Sequence, residues 1–160
     1  REPGALPGGQ EGPDGERRID ADEFFHGMYA TALEPDELLV GIELPRDERT
    51  VGAYAKRASP SSGYAVVGVA ARLTVEDDAV ADAGVAVNGI EDYPLRLPSV
   101  EEALADAALT GDAVEEAAAR ATDDIDLEFV MDDKDASPEF RAQLLTVYTE
   151  RALGEALEAA

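Results

Sequence analysis

The chain has 160 residues, 45% of them hydrophobic and spread along its length, which suits one domain with a real core, or one domain plus part of another. It has no cysteine, which excludes disulfides, thiolate metal sites and iron–sulfur ligation by its own side chains. Its formal net charge is −23, dispersed along the chain, so it repels nucleic acid and anionic membrane surfaces.

Lysine occurs only at Lys56 and Lys134, and the other basic residues are Arg. A dispersed acidic surface with so few lysines suits a salt-adapted, halophilic organism, where screening weakens self-repulsion. No apolar run approaches the ~20 residues needed to span a bilayer. No signal peptide is visible, and the expected location is cytoplasmic. The chain opens on Arg1, Glu2, Pro3 and Gly4, which reads as a cut in a longer protein.

Residues 1–16 are rich in Gly and Pro and read as loop or linker. Order begins at Ile19–Phe25. The apolar run Leu38–Leu44, closed by Pro45, predicts a strand. A charged turn from Arg46 to Thr50 leads to a second strand over Val51–Ala58. Ser59-Pro60-Ser61-Ser62-Gly63 is a loop, because Pro presets one backbone angle and Gly permits others. Tyr64–Val75 predicts a long strand with Val67, Val69, Ala71, Leu73 and Val75 on one face. Glu76-Asp77-Asp78 turns it into a return strand over Val80–Val87, as an antiparallel hairpin.

The second half reads as helical. Ser99-Val100-Glu101-Glu102 fits a capping box, and Asp112 opens a second helix running to about Ala121. Asp123–Asp135 encloses Ile125, Leu127, Phe129 and Val130 as loop or short strand. Ser137 then caps a long terminal helix with Pro138 at its first position, and Phe140, Leu144, Val147, Tyr148, Leu153 and Leu157 on its buried side. Strands first and helices later give an α+β fold: an antiparallel sheet of three to four strands packed against about three helices.

Catalytic equipment is sparse. His26, in Phe24-Phe25-His26-Gly27, reads as a structural histidine at a turn before it reads as a base. The acidic pairs Glu101-Glu102 and Asp132-Asp133 read as solvated surface. No serine has a partner histidine nearby in sequence. Gly8-Gly9 lacks the flanking strand and helix of a phosphate loop. Lys56 and Arg57 precede the Gly/Pro loop and Tyr64 follows it. Those cations either balance nearby carboxylates or hold an anionic or electron-rich cofactor, and the physics alone favours the first.

Two long stretches carry a resemblance. Gly12–Gly27, with its Glu23-Phe24-Phe25-His26-Gly27, is followed by Thr31-Ala32-Leu33-Glu34-Pro35-Asp36-Glu37-Leu38-Leu39-Val40-Gly41-Ile42-Glu43-Leu44-Pro45. This resembles the end of the FAD-binding domain in medium subunits of molybdenum hydroxylases of the carbon monoxide dehydrogenase and xanthine dehydrogenase type. Ala53–Arg57, Gly63–Ala71, Asn88-Gly89-Ile90, Pro94-Leu95-Arg96, Val100–Leu104, Ser137–Arg141 and Arg151-Ala152-Leu153 follow in the order of that family's C-terminal flavoprotein domain.

The resemblance implies that residues 1–48 are a remnant of the FAD-binding domain with a linker, and 49–160 the C-terminal flavoprotein domain. It implies an oxidoreductase subunit carrying FAD. Electrons would come from a molybdenum cofactor in a large subunit, through iron–sulfur clusters in a small subunit, and leave to an external acceptor. Leu39, Lys56 and Tyr64 are the cofactor-binding residues so implied: Leu39 sealing the flavin from water, Lys56 approaching it from the next strand, Tyr64 stacking or gating at the end of the loop. Leu39 and Lys56 would form one wall of the pocket. The family's two glycine-rich pyrophosphate loops have no counterpart here, so the piece alone is expected to be inactive and to bind FAD poorly. The competing expectation is a non-catalytic interaction or assembly domain of an acidic, salt-adapted protein.

Overall fold

A computed structural model of the protein describes residues 7–12, 15–44 and 47–160. The chain divides into two compact units, residues 1–46 and 47–160.

The first unit holds strands β1 (Pro7–Gly12) and β2 (Gly15–Asp20), a 3-10 turn at Ala21–Glu23, the short strands β3 (Phe25–Gly27) and β4 (Ala30–Thr31), and β5 (Leu38–Ile42). β1 lies between β2 and β5 and is antiparallel to both. The expected loop over residues 1–16 is therefore wrong at Pro7–Gly12 and from Gly15 onward; its remaining residues, 1–6 and 13–14, lie outside the described residues. The misreading has a physical reason. A central strand hydrogen-bonds through its backbone on both edges, so the pairing of β1 does not depend on an apolar repeat. Pro7 sits at the first strand residue, where proline is tolerated. Pro45, expected to close β5, also lies outside the described residues.

The second unit carries β6 (Thr50–Ala58), β7 (Ala65–Glu76), β8 (Ala79–Asn88) and β9 (Leu95–Arg96), then α1 (Pro98–Leu104), α2 (Gly111–Ala118), a 3-10 turn at Ala121–Asp124, and α3 (Pro138–Ala159). The strands form one four-stranded antiparallel sheet in chain order. α3 packs against β6 and β7, α2 against α3, and α1 against α2 and β8. The fold is α+β, as the sequence predicts.

Alternation explains the core. Val67, Val69 and Leu73 of β7 are fully buried with Val85 of β8, and Leu145 and Leu153 of α3 join the same cluster. The β7–β8 turn has Asp77 at φ 50° and Asp78 at φ 63°. Two positive φ angles mark the type I′ turn, which suits the twist of a hairpin. A register shift between Thr74 and Val75 interrupts the alternation, so Thr74 is buried and Val75 only half-buried. Thr74 satisfies its hydroxyl against Thr50 Oγ1 at 2.9 Å.

Three helix details depart from the sequence reading. Ser99 does not cap α1: Leu97 holds that position, and Ser99 instead donates from its amide and hydroxyl to Asp124. Glu101 faces the sheet, accepting from the Val85 amide at 2.8 Å and pairing with Arg96. α2 is capped by Thr110, whose hydroxyl accepts from the Ala113 amide, and it ends at Ala118. Residues 125–135 form loop and turns, one of the two forms the sequence allows.

Ser137 does cap α3, accepting from the Phe140 amide. The buried stripe of α3, however, runs through Arg141, Leu145, Tyr148, Thr149, Ala152, Leu153 and Ala156. Phe140 and Val147 lie exposed. The predicted face is turned by about one position from the buried one, which includes Arg141. Burying an Arg is costly unless it is paired and hydrogen-bonded, and here its two Nη atoms are held by the Val66 and Gly89 carbonyls and by Asp133.

Candidate functional site

Lys56 lies near the end of β6 on the sheet face away from the helices. Ala55, one residue earlier, is buried on the helical side, and successive strand residues point to opposite faces. The same rule separates Lys56 from Arg57, so the two adjacent cations do not form one patch. Lys56 Nζ donates to the carbonyl of Gly63 at 3.1 Å. This ties it to the loop joining β6 and β7.

That loop closes on itself. The Ser59 amide donates to the Tyr64 carbonyl at 2.7 Å, and the Gly63 amide donates back to the Ser59 carbonyl at 2.9 Å. Gly63 adopts φ +73°, which glycine tolerates without strain. The structure therefore brings Lys56 and Tyr64 to one end of the sheet. The Tyr64 side chain stands 80% exposed beyond it.

A clamp lies behind the loop. Ser59 is 5% exposed, and its hydroxyl donates to Asp135 Oδ2 at 2.8 Å. Hydrogen bonds from Lys134 and then Ser59 hold the Asp135 carboxyl below its ordinary range. In the same turn, Asp133 Oδ1 accepts the amides of Asp135 and Ala136, and Asp133 Oδ2 accepts from Arg141 Nη2 at 2.6 Å. Those contacts, led by the Asp135 amide, also lower the Asp133 carboxyl. Arg141 Nη1 donates to the carbonyls of Val66 and Gly89. One turn, residues 133–136, thus fixes both the start of the loop and the strand residues just after it.

Across the sheet, Lys56 registers with Gly68 and Gly68 with Asn88. Tyr54 shares this face, and its hydroxyl donates to Asn88 Oδ1 at 3.4 Å. A Cβ on Gly68 would lie 2.3 Å from the Tyr54 hydroxyl and 2.4 Å from Asn88 Oδ1. Glycine at 68 is what lets those two side chains meet over the strand.

Leu39 belongs to the first unit, on β5, 43% exposed and paired through its backbone with Gln10. Glu37, two residues earlier, takes a forked pair from Arg17 at 2.6 and 2.7 Å. Its Oε2 also accepts the Glu34 amide at 2.8 Å. The Arg17 hydrogen bonds, and then the Glu34 amide, lower its carboxyl to about 2. This fork fixes the approach to β5. β5 itself presents apolar side chains to solvent, Leu38 at 73% and Ile42 at 68% exposure.

Other candidates fare as structural residues. His26 is exposed, with Nε2 3.0 Å from the Glu23 carbonyl within its own turn. Gly8 and Gly9 lie inside β1, paired with Ile19 and Arg18. An open cleft lined by Glu91, Asp92, Tyr93, Glu128, Phe129 and Met131 gathers like charge. Burial, then Asp92 and Asp126, raise the Glu91 carboxyl there.

Sequence reasoning missed Ser59, Asp133, Asp135, Arg141, Tyr54 and Asn88. For Arg141 a signal existed: it is four residues before Leu145 and seven before Tyr148, on the stripe that α3 buries. For Ser59 and Asp135 there was none, because nothing local links residues that far apart.

The family model for the CO dehydrogenase flavoprotein C-terminal domain matches residues 52–156. The carbon monoxide dehydrogenase medium chain of Hydrogenophaga pseudoflava is 33% identical over 109 residues, covering 68% of this chain and 38% of that one. The nicotine 6-hydroxylase medium subunit of Paenarthrobacter nicotinovorans is 29% identical over 142 residues, covering 89% of this chain and 49% of the relative. A solved Cu,Mo-CO dehydrogenase in its cyanide-inactivated form superposes with a TM-score of 0.87 at 27% identity, covering 98% of this chain and 54% of that chain. The chain spans about half the length, or less, of the relatives it matches.

Proposed function

Since the chain belongs to the CO dehydrogenase flavoprotein C-terminal domain family, we propose that it is part of the FAD-carrying subunit of a molybdenum hydroxylase. In this reading residues 1–48 end an FAD-binding domain and 49–160 form the C-terminal flavoprotein domain. Electrons reach the subunit from a molybdenum-binding large subunit through an iron–sulfur small subunit, and leave to an external acceptor. The observation that carries the reading is the family match across β6, its loop and β7, the segment that presents Lys56 and Tyr64.

Within the second unit, Lys56 and Tyr64 at one end of the sheet have the chemistry to hold the ring end of FAD. Lys56 offers an ammonium aimed by its bond to the Gly63 carbonyl. Tyr64 offers an exposed aromatic face, and Leu39 an apolar side chain still 43% open. When bound, FAD supplies the capacity to take up electrons from one donor and release them to another. Lys56 would hold a positive charge beside the ring, which would favour its negatively charged reduced form. Tyr64 would offer its ring to the flavin from the loop, and Leu39, on the first unit, would offer an apolar surface that excludes water. Among the described residues, Gly8 and Gly9 offer no pyrophosphate loop, because they are committed to β1 pairing.

The relatives act on compounds as different as carbon monoxide and nicotine. Shared structure across them supports a role in electron transfer that is independent of substrate. The dispersed charge of −23 and the two lysines support a salt-rich cytoplasm as its setting. Among the described residues no helix is long and apolar enough to cross a membrane.

The test is affinity isolation of the protein containing this chain from its own cells, with flavin, molybdenum and iron measured on the product. FAD together with both metals is the expected result. A product with bound partners but no flavin and no molybdenum overturns the reading in favour of an assembly domain.

A further inference from the structure

We propose that Asp135, acting through Ser59, is a positioning residue that sets the loop Ser59–Tyr64 in the shape that receives the flavin. The proposal rests on the reading above that Lys56 and Tyr64 face that cofactor.

Tyr64 is 80% exposed, so its place depends chiefly on the backbone that carries it. Lys56 is likewise exposed, and its aim depends on where the Gly63 carbonyl lies, 3.1 Å from Nζ. Both dependences lead to Ser59. Its amide fixes the Tyr64 carbonyl and its carbonyl fixes the Gly63 amide. Ser59 is itself fixed by its side chain, since the buried hydroxyl donates to Asp135 Oδ2 at 2.8 Å.

Asp135 is a firm anchor. Its own amide is held by Asp133 Oδ1 at 2.9 Å, and Asp133 is held by the buried guanidinium of Arg141. Arg141 also grips the Val66 carbonyl, two residues after Tyr64. A chain of hydrogen bonds therefore runs from α3 through Asp133, Asp135 and Ser59 to Gly63 and Lys56. Preorganisation of this kind improves binding by removing the cost of ordering the loop, and displacement of a contacting group by about 1 Å can be felt strongly at the reacting end.

The experiment uses the FAD-loaded subunit that contains this chain. It compares Asp135→Ala, Ser59→Ala, their double variant and Asp135→Asn, with Lys56→Met and Tyr64→Ala as controls. Readouts are the FAD dissociation constant, the resolution of the flavin absorption band, and hydrogen exchange of the Gly63 and Tyr64 amides. One neutral hydrogen bond's worth of ordering predicts that Asp135→Ala and Ser59→Ala each weaken FAD by about 2- to 10-fold. Each blurs the flavin band and speeds exchange in the loop. The double variant is no worse than either single one, and Asp135→Asn, which keeps an acceptor for Ser59, restores most of the loss. Unchanged loop exchange in Asp135→Ala, or additive effects of the two alanines, overturns the positioning role. Unchanged FAD binding and spectrum in both Lys56→Met and Tyr64→Ala overturns the flavin reading itself, and the two failures are told apart by these separate variants.

Discussion

The Gly89 carbonyl accepts a 2.7 Å hydrogen bond from Arg141 Nη1, across 52 residues of sequence. The same nitrogen serves the Val66 carbonyl, so one guanidinium ties the start of β7 and the end of β8 to α3. Arg141 is 2% exposed, and its Nε is buried without a partner. Its value therefore rests on the three contacts it does make.

Arg141→Met is expected to destabilise the second unit by about 2–4 kcal/mol, because the buried Val66 carbonyl, the half-buried Gly89 carbonyl and Asp133 lose their donor. Arg141→Lys recovers little of this, since an ammonium cannot reach carbonyls and carboxylate in the same fixed fork. Urea denaturation followed by far-UV circular dichroism checks both. A Lys variant as stable as the parent would show that charge alone, and not the fork, is what the site requires.

Two glycines separate backbone strain from side-chain crowding. Gly89 sits at φ +83°, and a Cβ there would lie 2.6 Å from the Val66 carbonyl oxygen. Both faults are in the backbone, so Gly89→Ala is expected to cost about 1–3 kcal/mol or more. At Gly68 the nearest atoms are the far ends of Tyr54 and Asn88, which can swing away. Gly68→Ala is expected to cost under about 1 kcal/mol while breaking the Tyr54–Asn88 hydrogen bond. Thermal unfolding of the two variants tests the ranking, and a Gly68→Ala change as damaging as Gly89→Ala contradicts it.

What could be read in the sequence follows the range of the interaction. The β7–β8 hairpin, the loop at Ser59–Gly63 and the Ser137 cap were legible because each is set by neighbours within a few residues. β1 was not, because its strand character comes from pairing with both β2 and β5. The face of α3 was misjudged for a similar reason: Arg141 is buried only because Val66, Gly89 and Asp133 converge on it. Leu39, Lys56 and Tyr64 were named as cofactor-binding candidates by resemblance, Lys56 and Tyr64 also from their places around the loop. The Ser59–Asp135 bond was beyond any local pattern, and Glu101 serves the sheet where solvated surface was expected.

The fork between Arg17 and Glu37 gives the first unit an acid limit. Glu37 titrates at about 2 in the folded chain against an ordinary 4.5, with the Arg17 hydrogen bonds as the main cause. A carboxyl lowered by folding stabilises the fold fully above its unfolded value and loses that contribution as pH falls toward the folded one. Loosening of β5 is therefore expected as pH drops from about 4.5 to about 2. Glu37→Gln should remove that part of the acid response. Amide exchange at Glu34, whose N–H also bonds Glu37, reports it directly. An acid profile at Glu34 identical in the parent and in Glu37→Gln would show that the fork plays no part.

The β7–β8 turn joins backbone strain to the protein's charge. Asp77 and Asp78 both hold left-handed backbone angles, and the type I′ turn they form favours Asn followed by Gly. Two adjacent carboxylates in a chain of net charge −23 also repel each other. Asp77→Asn with Asp78→Gly relieves both faults and is expected to raise stability by about 0.5–1 kcal/mol in dilute buffer. Only the electrostatic share depends on salt. At ~1 M salt the screening length falls to about 3 Å, so the gain should shrink there while the gain from the backbone persists. Melting temperatures at low and high salt resolve the two shares. An undiminished gain in high salt would mean that repulsion at this turn contributes nothing, and would weaken the case for salt adaptation at this part of the surface.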